Sequence, residues 1–185
     1  MRVSREKAAE NRERILSAAA RLFRERGLSG VGVDALTEAA GLTHGSLYSQ
    51  FGSKDRLAAE ALEYALAGTA ARMDRIGDLA DYAARYLSAA HRDAPGGGCS
   101  LAALGCEMPR QSEPVRHVFT EGVRRVTARL AALLPGRDKR RREDGALAVM
   151  ATMVGALVLA RAVDDPELSD RILAVSRARL SQPVP

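Results

Sequence analysis

At 185 residues, 46% hydrophobic and 28% charged, the chain has the composition of a folded globular protein and fits one domain, or a small and a medium domain sharing a core. Its net charge of +5 and pI near 9.7 favour an anionic partner, although solvated lysines and arginines also serve solubility. The N-terminus is charged throughout and lacks an apolar signal segment, and the longest uncharged run, Gly145–Ala160, is 16 residues, short for a membrane span; a soluble, cytoplasmic chain with no membrane contact is expected.

Aromatic residues are only 4% and tryptophan is absent, which leans towards helix. Ile15, Leu16, Ala19, Leu22 and Phe23 recur on one face of a first helix, which Gly27 can terminate. Val33, Leu36 and Ala40 mark a short second helix ended by Gly41. Thr43 is an N-cap for a third with Leu47 and Phe51 facing inwards, and Ser53 caps a fourth carrying Leu57, Ala61, Leu62 and Leu66. A fifth helix is expected over Asp78–His91, before Pro95 and three glycines break the pattern. Ser100–Met108 predicts one short helix, Ser112 and Pro114 open a long one, and another spans Asp138–Val163. Asp165 then caps a last helix with Pro166 at its first position. No useful strand alternation occurs. The fold class is all-α with about nine helices, split at 1–53 and 54–185.

Two short helices joined by a glycine turn cannot bury much alone, and the Ile15–Phe23 helix supplies the surface they need. In a helix-turn-helix the second helix lies in the DNA major groove and presents its N-terminal half to base edges. With Leu47 and Phe51 inward, His44, Gly45, Ser46, Tyr48 and Ser49 face out. His44 and Ser46 can donate or accept, Gly45 permits close approach, and Tyr48 and Gln50 can reach phosphates. At Ser53-Lys54 a helix N-terminus and an ammonium can meet one phosphate. The same pattern also suits an ordinary helical corner whose polar residues are surface residues.

The run "GLTHGSLYSQFGSKDRL", preceded by "RILSAAARLFRERGLSGVGVDALTEAA", resembles the N-terminal DNA-binding domain of the TetR family of transcriptional regulators. The likeness rests on Ile15, Leu16, Ala18, Ala19, Leu22, Phe23, Gly27, Ala40, Gly41, Leu42, Thr43, Gly45, Leu47, Tyr48, Phe51, Ser53 and Lys54. It implies a one-component repressor, not an enzyme. Its partners would be a double-stranded, pseudo-palindromic DNA operator and a small-molecule effector, with no cofactor. It implies DNA contacts at Thr43, His44, Gly45, Ser46, Tyr48, Gln50 and Lys54, and a homodimer through the last two helices. Two departures stand out. Gly32 occupies the position before the second helix where relatives often carry a hydroxyl, which brings Asp34 near the DNA backbone. The reading helix also has no lysine or arginine, so discrimination falls to His44, Ser46 and Thr43. Residues 1–26 carry eight Lys/Arg against four Glu, and Arg2, Arg5 and Lys7 are candidates for a minor-groove arm.

For the effector pocket the candidates are Met73, Tyr82, Tyr86, Met108, His117, Phe119, Met150 and Met153, each of which also suits a plain core. Met150, Met153, Val154, Leu157 and Val158 form an apolar face, with Ala151, Gly155 and Ala162 small enough for close helix approach. Cys99 and Cys106 are expected as reduced thiols. On one helix they would lie ~10 Å apart, too far for a disulfide. Cys99 beside a helix start also opens a thiol-sensing alternative. The "RDKRRRE" run reads as a solvated face, and Gly96–Gly98 lacks the Lys-Ser/Thr of a phosphate loop. His91 and His117 have no metal-ligand spacing, and no nucleophile motif occurs. A helical-bundle enzyme and a non-specific nucleic-acid-coating protein remain the competing classes.

Overall fold

Glycine stops and side-chain caps divide the chain into helices much as their spacing predicts. The computed structural model describes residues 5–181, and among them stand ten α-helices and no strand. Helix α1 is Arg5–Arg26, α2 Val33–Ala40 and α3 His44–Phe51; α4 is Lys54–Met73, α5 Leu79–Tyr86 and α6 Ala89–Asp93. Then come α7 Ser100–Leu104, α8 Glu113–Leu133, α9 Lys139–Ala162 and α10 Pro166–Leu180. Gly41 ends α2 at φ 63°, a left-handed conformation that side chains rarely adopt. Thr43, Ser53 and Asp165 cap α3, α4 and α10 with their side-chain oxygens, as expected. Gly32 precedes α2 without a side-chain cap.

Two expected helices are each interrupted. The Asp78–His91 helix breaks because His91 folds back, its Nδ1 lying 2.7 Å from the carbonyl of Tyr86, and because Ser88 starts a new turn by accepting the His91 amide at 3.2 Å. The Ser100–Met108 helix stops at Leu104 and tightens into a 3-10 segment, Gly105–Arg110. Pro109 has no amide to donate and disfavours an α conformation at the residue before it.

α4 is the spine. It packs on α1 on one side and on α8 on the other, α8 packs on α9, and α9 on α10. At Gly122 of α8 a Cβ would lie 2.6 Å from Leu66 Cδ1, so the glycine sets how closely α8 meets α4. Ile15, Phe23, Leu36, Leu47, Phe51 and Leu57 are buried as the core of the α1–α3 head. By length and hydropathy α9 could cross a membrane, yet Ala146, Val149, Met153, Ala156, Leu157 and Ala160 are buried against neighbouring helices.

Candidate nucleic-acid interface and effector cavity

The exposed end of the head is helix α3. Leu47 and Phe51 are fully buried beneath it, which fixes the rotation of the helix and turns Thr43, His44, Gly45, Tyr48 and Ser49 outwards. Tyr48 is 49% exposed, unusually high for so large a ring. Thr43 accepts the Ser46 amide at 3.4 Å, and the two hydroxyls lie 3.2 Å apart, so these side chains hold each other in place. A Cβ on Gly45 would meet nothing nearer than Thr43 Oγ1 at 4.0 Å, so packing does not require a glycine there. Lys54 is half-buried at the start of α4, whose cap is Ser53 accepting the Arg56 amide at 3.2 Å. Gln50 is half-buried too, and its carbonyl accepts from Arg12 at 3.0 Å.

The Asp34 carboxylate, itself almost fully exposed, lies against His44 Nε2 across the α2–α3 turn. The basic N-terminal segment also divides its labour. Arg12 binds Glu60 and stacks 4.4 Å over the Phe51 ring, and Arg24 donates to the Gly96 carbonyl at 2.8 Å. Those two charges fasten the head to the rest of the molecule. Lys7 pairs with Glu10 at 3.1 Å within α1, whereas Arg2 and the Arg5 side chain lie outside the described residues.

The second site lies among α4, α5, α7, α8 and α9. Tyr82, Tyr86, Met150 and Met153, all expected, line a closed apolar cavity with Leu66, Val126 and Leu130. Its free space is only about 10 Å³, room for roughly one water. Met73 lines an adjoining cleft of about 320 Å³, and Tyr82, Tyr86 and Cys99 border both spaces. The remaining candidates stand elsewhere. Met108 is buried in the 3-10 segment, Phe119 is half-buried near Gly105, and His117 is exposed on the first turns of α8.

Sequence reasoning missed Ser100 and the role of His91. Ser100 Oγ is buried beside the cavity with no hydrogen-bond partner, and the Tyr86 hydroxyl is buried next to the Cys99 thiol. His91 Nε2 accepts the Cys99 amide at 3.0 Å, so the proton belongs on Nδ1, donated to Tyr86. Burial is the main force lowering the His91 pKa, and it pushes both tyrosines above their ordinary value. Cys99 is buried and Cys106 exposed, both unbridged, and they lie on different elements rather than one helix face. Among the described residues no cluster of three His, Cys, Asp or Glu is arranged to hold a metal ion.

The segment between cavity and head is clamped at both ends. Arg24 holds Gly96, and Glu107 accepts the amides of Leu28 and Ser29 at 3.0 and 3.3 Å, just past the end of α1. Between those clamps, Cys99, Ser100 and Leu101 line the cavity. The segment that lines the cavity is therefore tied to α1 at Arg24 and to the residues after α1 at Leu28 and Ser29.

Two profiles cover most of the chain: bacterial regulatory proteins of the tetR family over residues 15–61, and the tetracyclin repressor-like C-terminal domain over 73–175. The chain belongs to the TetR family. It is a one-component, ligand-responsive DNA-binding regulator of transcription, like the rest of that family. It is similar to the HTH-type regulator LmrA of Bacillus subtilis, 29% identical over 163 residues that cover 81% of this chain and 86% of LmrA. It is also similar to AcrR of Shigella flexneri, 37% identical over 62 residues, or 34% of this chain and 29% of AcrR. Among solved structures, reduced E. coli NemR superposes with a TM-score of 0.76 at 24% identity, covering 92% of this chain and 95% of NemR. A TetR regulator from Legionella pneumophila superposes with a TM-score of 0.79 at 18% identity over 100% of both chains. These TetR structures share the fold.

Proposed function

We propose that this TetR-family protein represses transcription as a homodimer on a pseudo-palindromic operator and is released when a small molecule enters the α4–α9 cavity. The observation that carries the reading is the α3 face, where Thr43, His44, Gly45 and Ser46 lie at the exposed N-terminal half over a sealed core. That half of a recognition helix contacts base edges. His44, held by Asp34, and Ser46 do the discriminating, while Tyr48, Gln50 and Lys54 meet phosphates. The head ends at residue 53 and the effector and dimer domain follows.

Dimer formation is supported by the uncovered side of α9 and α10. Leu147, Leu159, Leu168 and Val175 are exposed, and Ala151 and Thr152 stand between them. Gly155 has open space where a side chain would be, which admits a partner helix closely. Two heads joined in this way would meet half-sites about one DNA turn apart, ~34 Å, or a multiple. An effector prying the closed cavity open would displace Cys99–Leu101, and with it the Gly96 and Glu107 clamps on α1. It shifts the equilibrium only by its preference for the open state. In this reading the protein works in the cytoplasm with no membrane, metal, cofactor or catalytic step.

The test is a gel shift with the protein's own upstream DNA against a scrambled duplex at two salt concentrations. Tighter binding to the upstream DNA at both is expected; equal affinity for the two would sink the operator reading. A second reading, thiol-based sensing, is favoured by free Cys99 at the cavity wall and free Cys106 at the surface. It requires that alkylation release the operator in the parent protein but not in a Cys99→Ser, Cys106→Ser double variant.

A further inference from the structure

We propose that the effector is an organic acid, its anionic head held by Arg72 and Arg75 at the cleft mouth and its apolar body pushed past Tyr82 into the closed cavity. The inference deepens the repressor reading and rests on it.

Charge is the first observation. Arg24, Arg72, Arg75 and Arg161 come from α1, α4, the turn after α4, and α9, and they surround the Tyr82–Tyr86–Cys99 wall. Among the described residues none of the four forms an ion pair. Arg24 and Arg161 spend their donors on backbone carbonyls of Gly96, His91 and Arg92, and Arg72 donates to the Thr69 hydroxyl at 3.2 Å. Arg85, which lines the same cleft, is paired with Asp81 at 3.0 Å, so Arg72 and Arg75 are the cleft arginines left without a carboxylate. Arg24 and Arg161 are half-buried, and Arg72 and Arg75 are exposed at the mouth; like charges gathered this closely repel one another unless a counter-charge is supplied, and burial and then Arg72 both push the Arg24 pKa down. Guanidinium forks match carboxylate and phosphate oxygens alike, and the uncharged apolar cavity beyond favours the singly charged carboxylate.

The second observation is the wall behind them. Thr69, Tyr82, Tyr86 and Cys99 border both the cationic cleft and the apolar cavity, so one elongated molecule entering the cleft meets charge first and hydrocarbon next. Inside, Ser100 Oγ (residue 1% exposed) is a polar atom without a partner, which buried groups seldom are, and the Tyr86 hydroxyl (7%) has only the Cys99 thiol beside it. They offer a hydrogen bond to an oxygen on the ligand body. The cavity walls themselves carry no charged side chain, so a second charge on the ligand is excluded. Arg72 also lines the cleft shared with Arg24 of α1. An anion there would change the field felt at the end of the helix that supports the reading head.

Calorimetry on the full-length protein, without DNA, would compare phenylacetate, naphthoate and decanoate with their neutral amides. At least one carboxylate should bind more than tenfold tighter than its amide, and Arg72→Gln should remove that preference while leaving amide binding unchanged. Should Arg72→Gln fail to fold, a salt titration of the parent protein replaces it; carboxylate affinity should fall steeply with salt and amide affinity should not. No binding by any of the three acids, or equal binding of acid and amide, overturns the proposal. Because these measurements contain no DNA, they are decided separately from the gel shift. A protein that prefers its operator but ignores all three acids keeps the repressor reading and loses this one.

Discussion

The α1–α3 head and the α4–α9 cavity are both helical, both cored by leucine and aromatic side chains, and yet they hold their polar groups differently. In the head, the groups that matter face solvent with their local partners already in place: Thr43 caps Ser46, and Asp34 holds His44. In the cavity, the Ser100 hydroxyl has no hydrogen-bond partner, and the arginines around it have hydroxyl and carbonyl partners but no carboxylate. A surface preformed for a rigid duplex gains from being ordered beforehand, because little entropy is lost on docking. A site that must change shape gains from being unsatisfied, because the ligand supplies what the closed state lacks.

That contrast can be broken at graded cost. Leu47→Ala, which empties the core beneath α3, should lower stability by about 2–5 kcal/mol in chemical denaturation and abolish operator binding with it. His44→Ala removes a reader without touching the core. Operator affinity should fall by about 1–3 kcal/mol per lost base contact, while affinity for scrambled duplex stays the same, as measured by competition gel shift. Gly45→Ala should separate folding from reading. With open space around it, alanine should stabilise the head by up to about 1 kcal/mol in thermal denaturation while weakening operator binding by crowding the groove.

On the cavity side, His91 gives a pH signature. Burial lowers its folded pKa below the ordinary 6.5, so beneath that value the unfolded chain takes up a proton that the folded chain refuses. Stability should therefore decline as pH drops below about 6.5, and the decline should flatten in His91→Gln, followed by melting temperature across pH. The smallest effect is expected at the Glu63–Arg125 pair joining α4 to α8. Glu63→Gln should cost less than about 1 kcal/mol in denaturant titrations, because the pair is largely solvated.

The legibility of the two regions follows the same division. The head could be read almost completely because its determinants are local: a glycine stop at Gly41, a cap at Thr43, and a four-residue spacing between Leu47 and Phe51. Asp34 was the exception; its distance from His44 depends on how α2 crosses α3, which no periodicity encodes. In the second domain the aromatic and sulfur residues of α5 and α9 could be nominated, but a pocket wall and a core wall have the same composition. Met108, Phe119 and His117 were nominated by the same rule and lie away from the cavity. The small residues of α9 read as room for a partner helix. Met153 and Leu157, however, face the monomer's own core, and Leu147 and Leu159 face out.

Sequence alone determined the all-α class and the starts and stops of most helices, and it nominated the reading face, because caps, glycines and the helical period act within a few residues of chain. Tertiary structure alone decided that Arg12 and Arg24 fasten the head rather than face DNA, that His91 breaks α5 from α6, and that the Gly96–Glu107 segment spans from the cavity to α1. Apart from the His91 contact, which spans five residues, each of those depends on groups tens of residues apart meeting in space, which is set by how whole helices pack and not by any local preference.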